Sequence, residues 1–525
     1  MSTADTPAPP EHVDVLVVGA GISGIGVARY LGVEHPHRTY AVLESRGDLG
    51  GTWSLFRYPG VRSDSDLFTF GYAFRPWRDD TSIADGDAIL RYLRDTAAEN
   101  RITEHIRFHH RVLRADWSSE DAAWSVLVER TDTGNRHTVT TSWLLGATGY
   151  YRYDEPHTPS FPGRDRFTGT ILHPQQWPQD LDVTGCRVVV IGSGATAVTL
   201  VPALARTAEH VTMLQRTPTY VMSLPRRDAL AQALTRALGP DRSFRIVRRK
   251  NILTQRATWE LARKYPGTTR KLLRRMVARA LPADFDVDTH FNPPYAPWDQ
   301  RLCVIPDGDL FESISEGRAS VVTDRIDTFT EHGIRTSSGQ HLEADVIVSA
   351  TGFTLLPFGG IELSVDGEVV EPTDRLAFKG MMLSGIPNFA FFIGYTNASW
   401  TLKVGLLAEH LCRLIAHMDE HGYAVCTPVL PPGGVVTRPL LDFGAGYVQR
   451  SLDSLPRQGD RGPWTMSMSY LADERALRRQ PIPDPALHFT RHPPARVPTV
   501  APHRGASPAR VSPAWNGSRR PAPGP

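Results

Sequence analysis

The chain has 525 residues, 41% of them hydrophobic, enough material for two to four packed domains. Its 58 Lys and Arg against 56 Asp and Glu leave a net charge of +2, which offers no overall electrostatic footprint for nucleic acid. The four cysteines, Cys186, Cys303, Cys412 and Cys426, make no C-x-x-C pair; this points to a reducing compartment and away from a disulfide framework, a metal centre or a redox dithiol.

Residues 1–11 carry acids and prolines and read as a flexible N-terminus rather than a secretory signal. No run reaches the ~18 consecutive apolar residues of a spanning helix, so a cytoplasmic enzyme is expected. Residues 13–18, VDVLVV, predict a buried parallel strand entering a tight turn, followed by a helix over 25–31. The turn holds Gly19, Gly21 and Gly24 in the spacing G-x-G-x-x-G. In that pattern Gly19 permits the turn, Gly21 lets backbone approach a pyrophosphate, and Gly24 allows close helix–strand packing. A second strand over 39–43 ends at Glu44, where a carboxylate accepts from a ribose hydroxyl. An acid there suits an unphosphorylated ribose, hence FAD or NAD.

Strands over 124–129 and 142–145 lead to GATG and a Tyr/Pro-rich link, YYRYDEPHTPSFPG, which reads as a domain crossing. The plan then restarts. A strand over 187–191 meets Gly192, Gly194 and Ala197, a G-x-G-x-x-A variant, and a helix through roughly 207. The next strand, 210–214, ends in Gln215, Arg216 and Thr217 with no acid. A guanidinium and a hydroxyl there suit a 2′-phosphate. Two sites of opposite ribose chemistry imply FAD in the first and NADPH in the second.

From Pro225 to about Arg279 the chain turns helical and Arg-rich. We read it as a solvated amphipathic face, with peripheral membrane contact as the second reading. Residues 344–349 end in ATGF, an echo of GATG that suggests a return to the first domain. Residues 403–418 predict an amphipathic helix with Leu406, Leu407, Leu411, Leu414 and Ile415 on one face. The expected division is an FAD-binding domain over 12–150 and 350–478, and an NADPH-binding domain over 151–349 with a helical insertion at about 225–290. A disordered Pro/Arg-rich tail is expected over 479–525.

Two further segments carry a family resemblance. Residues 167–178 read FTGTILHPQQWP, filling F-x-G-x-x-x-H-x-x-x-W-P with Phe167, Gly169, His173, Trp177 and Pro178. Residues 50–64 read GGTWSLFRYPGVRSD, a G-G-x-W segment followed by Tyr58, Pro59, Gly60 and Asp64. Together with the two glycine turns, these motifs resemble the type I Baeyer–Villiger branch of the class B, FAD-containing flavoprotein monooxygenases. The resemblance spans roughly residues 12–475, and LFRYPGVRSDSD, PWDQRL and YTNASWTLK are similar to one subgroup of FAD-containing monooxygenases.

The resemblance implies an α/β fold of two Rossmann-like dinucleotide-binding domains, for FAD and NADPH, with a helical insertion in the second. It implies that Gly51, Thr52, Trp53 and Asp64 line the flavin, and that Arg301 is the catalytic arginine, paired with and oriented by Asp64. In the implied reaction NADPH reduces the flavin, oxygen adds to give a C4a-peroxyflavin, and the peroxide attacks a ketone carbonyl to yield an ester or lactone. Arg301 would stabilise the negative charge of peroxide and adduct. Sulfides are a further substrate class. Phe167, Gly169, His173, Trp177 and Pro178 are implied to couple the domains rather than to make bonds. Many members carry Lys immediately before the arginine, where this chain has Gln300; the substitution shifts the 2′-phosphate contact onto Arg216 and Thr217. Asn397, Ser399 and Trp400 are candidates for site lining. Two alternatives stand beside the ketone reading: an N- or S-oxygenating flavin monooxygenase, and a non-catalytic nucleotide-binding flavoprotein.

Overall fold

The structure, a computed structural model, describes residues 11–300 and 302–491. The strand Glu11–Val18 lies between Tyr40–Leu43 and Arg136–Gly146, parallel to both. Val15, Leu16 and Val17 are fully buried, as a strand covered on both faces requires. The helix Ile22–Glu34 follows directly. Antiparallel His110–Ser118 and Ala123–Arg130 extend the sheet, and Glu362–Val365 and Phe389–Phe391 join it from the far side of residue 350. Trp400–His421 packs against Ile22–Glu34. Leu406, Leu407, Leu411, Leu414 and Ile415 are buried along it, as the 3.6-residue spacing predicts.

The second sheet has five parallel strands in the order Ala319–Thr323, His210–Gln215, Arg187–Ile191, Val346–Ser349, Thr170–Leu172. The helices Ala229–Leu238, Pro240–Lys264 and Pro266–Ala280 lie in sequence between His210–Gln215 and Ala319–Thr323. The chain is thus an α/β protein built on two Rossmann-like parallel units.

Two expectations change. The fingerprint segment is not only a link: Thr170–Leu172 is an edge strand, hydrogen-bonded in register with Val346, Ile347 and Val348. Three residues are too few to show a period, and the partner lies far away in sequence. The tail expected to be disordered from 479 is also corrected. Leu487–Thr490 is a strand paired antiparallel with Val425–Pro428. Leu487 is buried while His488 and Thr490 face solvent; that alternation marks a half-buried strand, and the surrounding prolines obscured it. The rest of the tail, 492–525, and residues 1–10 lie outside the described residues.

Candidate functional site

Both glycine turns are built in the same way. At Gly19, φ is +102°, and a Cβ there would stand 2.7 Å from the carbonyl oxygen of Ala147, in GATG. At Gly192, φ is +139°, and a Cβ would stand 2.4 Å from the carbonyl oxygen of Ala350, in ATGF. Only glycine accepts both the conformation and the contact. Each strand–turn–helix unit therefore wedges its turn against the strand end of its own sheet. Gly24 seats the first helix against the turn, its Cβ position being 1.8 Å from the Gly19 carbonyl oxygen. Ala197 is fully buried in the core beneath the second turn.

The turns open on one cavity of about 1580 Å³, lined by Gly19, Gly21, Glu44, Gly51, Thr52, Trp53 and Asp64 together with Gly192, Gly194, Arg216, Thr217 and Gln300. Gly21 and Gly194 are the N-caps of their helices, and neither offers a side chain to the first-turn N–H groups. Those donors, with the helix dipole, suit a pyrophosphate. A Cβ at Gly194 would meet nothing within 4 Å. The cradle is open where the phosphates would lie, so the residues fit a dinucleotide at each turn.

The ribose ends differ as their sequences imply. Glu44 is buried; its Oε2 accepts from the Ala20 N–H at 2.9 Å and its Oε1 from the Arg46 N–H at 3.0 Å. Two backbone donors fix a carboxylate whose remaining lone pairs can take ribose hydroxyls. In the second unit Gln215 is buried and donates to the His290 carbonyl at 2.7 Å and to Thr323 at 2.9 Å. Gln215 therefore serves as a tie to the helical insertion. Exposed Arg216 and half-buried Thr217 face the cavity instead, and Ser193 holds their loop by donating to the Thr217 carbonyl at 3.0 Å.

Sequence reasoning missed Arg450. It lines the cavity and packs beside Gly352, donating to the Phe353 carbonyl at 3.4 Å. Burial, and then the positive charge of Arg216, hold its pKa below the usual arginine value. Its loop is docked on the segment that carries Gln300: the Gly444 N–H donates to the Asp299 carbonyl at 3.1 Å. Arg450 comes from a segment more than 230 residues beyond Arg216, and nothing local in GYVQRS marks it. The cavity-lining tyrosine Tyr153 was also missed; its hydroxyl lies 3.2 Å from Thr52 Oγ1, and burial raises its pKa to about 12.

The fingerprint residues stand back from the cavity. Phe167 is buried against Phe329, Gly169 passes close to the Asp345 backbone, Trp177 covers the second core, and Pro178 is exposed. His173 is buried with Nε2 3.2 Å from the Gly352 carbonyl oxygen, while its Nδ1 accepts from the Gln175 N–H at 3.1 Å. Trp400 lines the cavity and donates to Ser23 at 2.8 Å. Ser399 is buried against Thr69, and Asn397 donates to the Met468 carbonyl at 3.0 Å rather than lining the site. Arg301 lies outside the described residues.

The sequence pattern of the flavin-binding monooxygenase-like family matches residues 12–367. The chain belongs to that family. This flavin-binding monooxygenase is 50% identical over 484 residues to the FAD-containing monooxygenase EthA of Mycobacterium tuberculosis, covering 92% of this chain and 99% of that protein. It is 44% identical over 484 residues to the probable FAD-binding monooxygenase AlmA of Acinetobacter baylyi, covering 91% and 96%. Among solved structures it resembles oxidized steroid monooxygenase bound to NADP, with a TM-score of 0.68, 26% identity, and coverage of 81% of this chain and 88% of that one. The open crystal structure of cyclohexanone monooxygenase shares the fold at a TM-score of 0.66 and 23% identity, covering 81% and 91%. The monooxygenase is an FAD- and NADPH-dependent oxidoreductase, and among its described residues no helix is long and apolar enough to cross a membrane.

Proposed function

We propose that this monooxygenase inserts one oxygen atom beside a ketone carbonyl, giving an ester or lactone. The balanced reaction takes ketone, O2, NADPH and a proton to ester, NADP⁺ and water. Sulfides are its second substrate class. The observation that carries the reading is the single cavity onto which both glycine turns, Asp64 and Trp53 open, in a chain whose fingerprint retains Trp177 and Pro178. Structural likeness to a steroid monooxygenase and a cyclohexanone monooxygenase supports it.

When bound, the flavin supplies hydride acceptance from NADPH and activation of oxygen; the chain's residues bind, orient and shield. The first turn and Glu44 hold the FAD pyrophosphate and ribose, with Gly51, Thr52 and Trp53 against the cofactor. The second turn holds the NADPH pyrophosphate, with Arg216, Thr217 and Arg450 around the 2′-phosphate. Arg450 supplies the cation that Gln300 lacks. Arg301 lies in sequence between cavity-lining Gln300 and Cys303. Its role is to stabilise negative charge on the attacking oxygen and the carbonyl adduct. Such a fixed cation in a water-poor site contributes about 3–4 kcal/mol to the transition state. Asp64 orients it. His173 acts as a strut between the fingerprint strand and the ATGF crossing, outside the bond-making steps.

Product analysis on linear, cyclic and aryl ketones plus one thioether tests the reading. Ester or lactone from at least one ketone class, matched to NADPH consumed, is expected. Sulfoxide formation with no ester from any ketone would replace it with the N- or S-oxygenating alternative. NADPH oxidation with hydrogen peroxide as sole product would leave only a nucleotide-binding flavoprotein.

A further inference from the structure

Charge is segregated along this chain. Residues 226–279 hold 16 Lys and Arg against 3 Asp and Glu, an excess of 13 positive charges. The whole chain has 58 against 56, so the remainder has 42 against 53, a net charge of −11. Exposed apolar surface is concentrated in the same stretch. Of 14 large apolar side chains exposed among the described residues, 8 fall within it, so the exposure is clustered rather than scattered.

The arrangement on the helices is regular. On Pro240–Lys264, Ile246, Leu253 and Leu261 are exposed at 46%, 47% and 57%. On a 3.6-residue period they lie within about 80° of one another, with Arg242, Arg245 and Arg249 along one edge of that stripe. On Pro266–Ala280, Leu272 and Met276 are exposed one turn apart, and Lys271, Arg275 and Arg279 lie to the same side. These six cations are exposed and form no ion pair among the described residues. Arg226, Lys250, Arg256 and Arg274, by contrast, are paired with acids.

The inner face of Pro240–Lys264 is committed to the site. Arg248 donates to the carbonyls of Phe68, Thr69 and Gly71 at 2.7–3.0 Å, and Asn251 donates to Asp66 at 2.8 Å. The outer face therefore sits over the segment that follows Asp64 in the flavin cavity wall.

We propose that the outer faces of Pro240–Lys264 and Pro266–Ala280 dock on an anionic lipid surface, apolar stripes in the acyl boundary and flanking cations at the headgroups. Long basic side chains reach headgroup oxygens while the leucines lie deeper, the division seen in interfacial helices. Nucleic acid would meet the cations but leave the leucines in water. A second copy presenting the same face would oppose these six unpaired cations with six more. An anionic bilayer satisfies both components of the face and would bring apolar substrates to the side of the molecule that covers the flavin cavity.

The test uses the full-length, FAD-loaded enzyme and vesicles of phosphatidylcholine alone or with 30% phosphatidylglycerol by design. Co-sedimentation is measured for the parent and for two triple variants, L253S/L261S/L272S and R242A/R249A/R275A. FAD content and far-UV circular dichroism verify that each variant is folded. Binding to the anionic vesicles well above that to phosphatidylcholine alone is expected. Losing three cations should weaken it about a hundredfold, and losing the three leucines at least about tenfold. Absence of anionic-vesicle binding by the parent overturns the proposal. So does binding that depends on only one of the two sets, or that neither variant changes. Heparin or DNA binding without vesicle binding assigns the face to a polyanion instead. Self-association that the leucine variant abolishes, without vesicle binding, assigns it to a second copy.

Discussion

His173 Nε2 lies 3.2 Å from the carbonyl oxygen of Gly352, joining the fingerprint strand to the ATGF crossing. Because Nδ1 accepts a backbone N–H from Gln175, the ring proton sits on Nε2 and is donated to Gly352. The ring is thus fully used as a neutral imidazole, and protonating Nδ1 would break one of its two bonds. Burial pushes its pKa down to about 4 from 6.5.

That shift sets a pH dependence. The folded state binds this proton less readily than the unfolded chain, so the stabilisation is complete above pH 6.5 and is lost as pH falls toward 4. Between pH 7 and pH 5 the loss is about 2 kcal/mol. Urea midpoints at the two pH values should fall closer together in His173→Asn than in the parent. His410, fully buried and held near the same value by burial, adds a parallel loss that the variant leaves in place.

Arg216 and Arg450 should separate NADPH from NADH. Each charge-assisted contact to the 2′-phosphate is worth about 1.5–3 kcal/mol, so Arg450→Ala should raise the NADPH KM roughly tenfold or more. Its kcat and its KM for NADH should move little. Steady-state kinetics with both nucleotides gives the comparison. Equal changes for NADPH and NADH would remove Arg450 from the phosphate site.

The two glycines of the second turn should behave oppositely. Gly192→Ala forces a Cβ to within 2.4 Å of a backbone oxygen at a positive φ, and should destabilise the fold by about 1–3 kcal/mol. Gly194→Val adds its side chain where nothing stands within 4 Å of the Cβ. It should keep the parent melting temperature while weakening NADP⁺ binding in a titration. A melting loss in Gly194→Val matching that of Gly192→Ala would mean the cavity wall is not open there.

Arg301→Ala should abolish oxygenated product while NADPH still bleaches the flavin absorbance. The expected loss is about 100- to 1,000-fold in product rate, with hydrogen peroxide appearing in its place. Asp64→Asn should show a smaller loss of the same kind. Product analysis alongside anaerobic stopped-flow reduction resolves the two steps, and normal ester formation by Arg301→Ala would end the assignment.

A buried ion pair anchors the C-terminal segment. Lys403, wholly inaccessible, donates to Asp473 at 2.9 Å and to the Ser467 carbonyl at 2.8 Å, and Tyr395 donates to the same aspartate at 2.6 Å. Asp473→Ala should destabilise the protein by about 3–5 kcal/mol, because it leaves an uncompensated buried cation. Lys403→Met with Asp473→Leu should recover much of that loss. Chemical denaturation of the single and double variants provides the measurement.

By itself the sequence determined the parts of this protein whose physics is local. A β-branched run, a glycine turn and a helix follow one another because backbone conformation and hydrophobic period are written in adjacent residues. Glu44 against Arg216 and Thr217 distinguishes the two ribose ends in the same local way, and 167–178 with 50–64 carried the family. Tertiary structure alone decided what depends on distant partners. Thr170–Leu172 is a strand only because Val346–Val348 offers it an edge, and Leu487–Thr490 only because Val425–Pro428 does. Arg450 reaches the cavity because Gly444 docks on Asp299. Gly19 and Gly192 take their shape from Ala147 and Ala350, each more than 120 residues away. These long-range partners and the burial they bring arise when the chain closes on itself, so no short window along the sequence contains them.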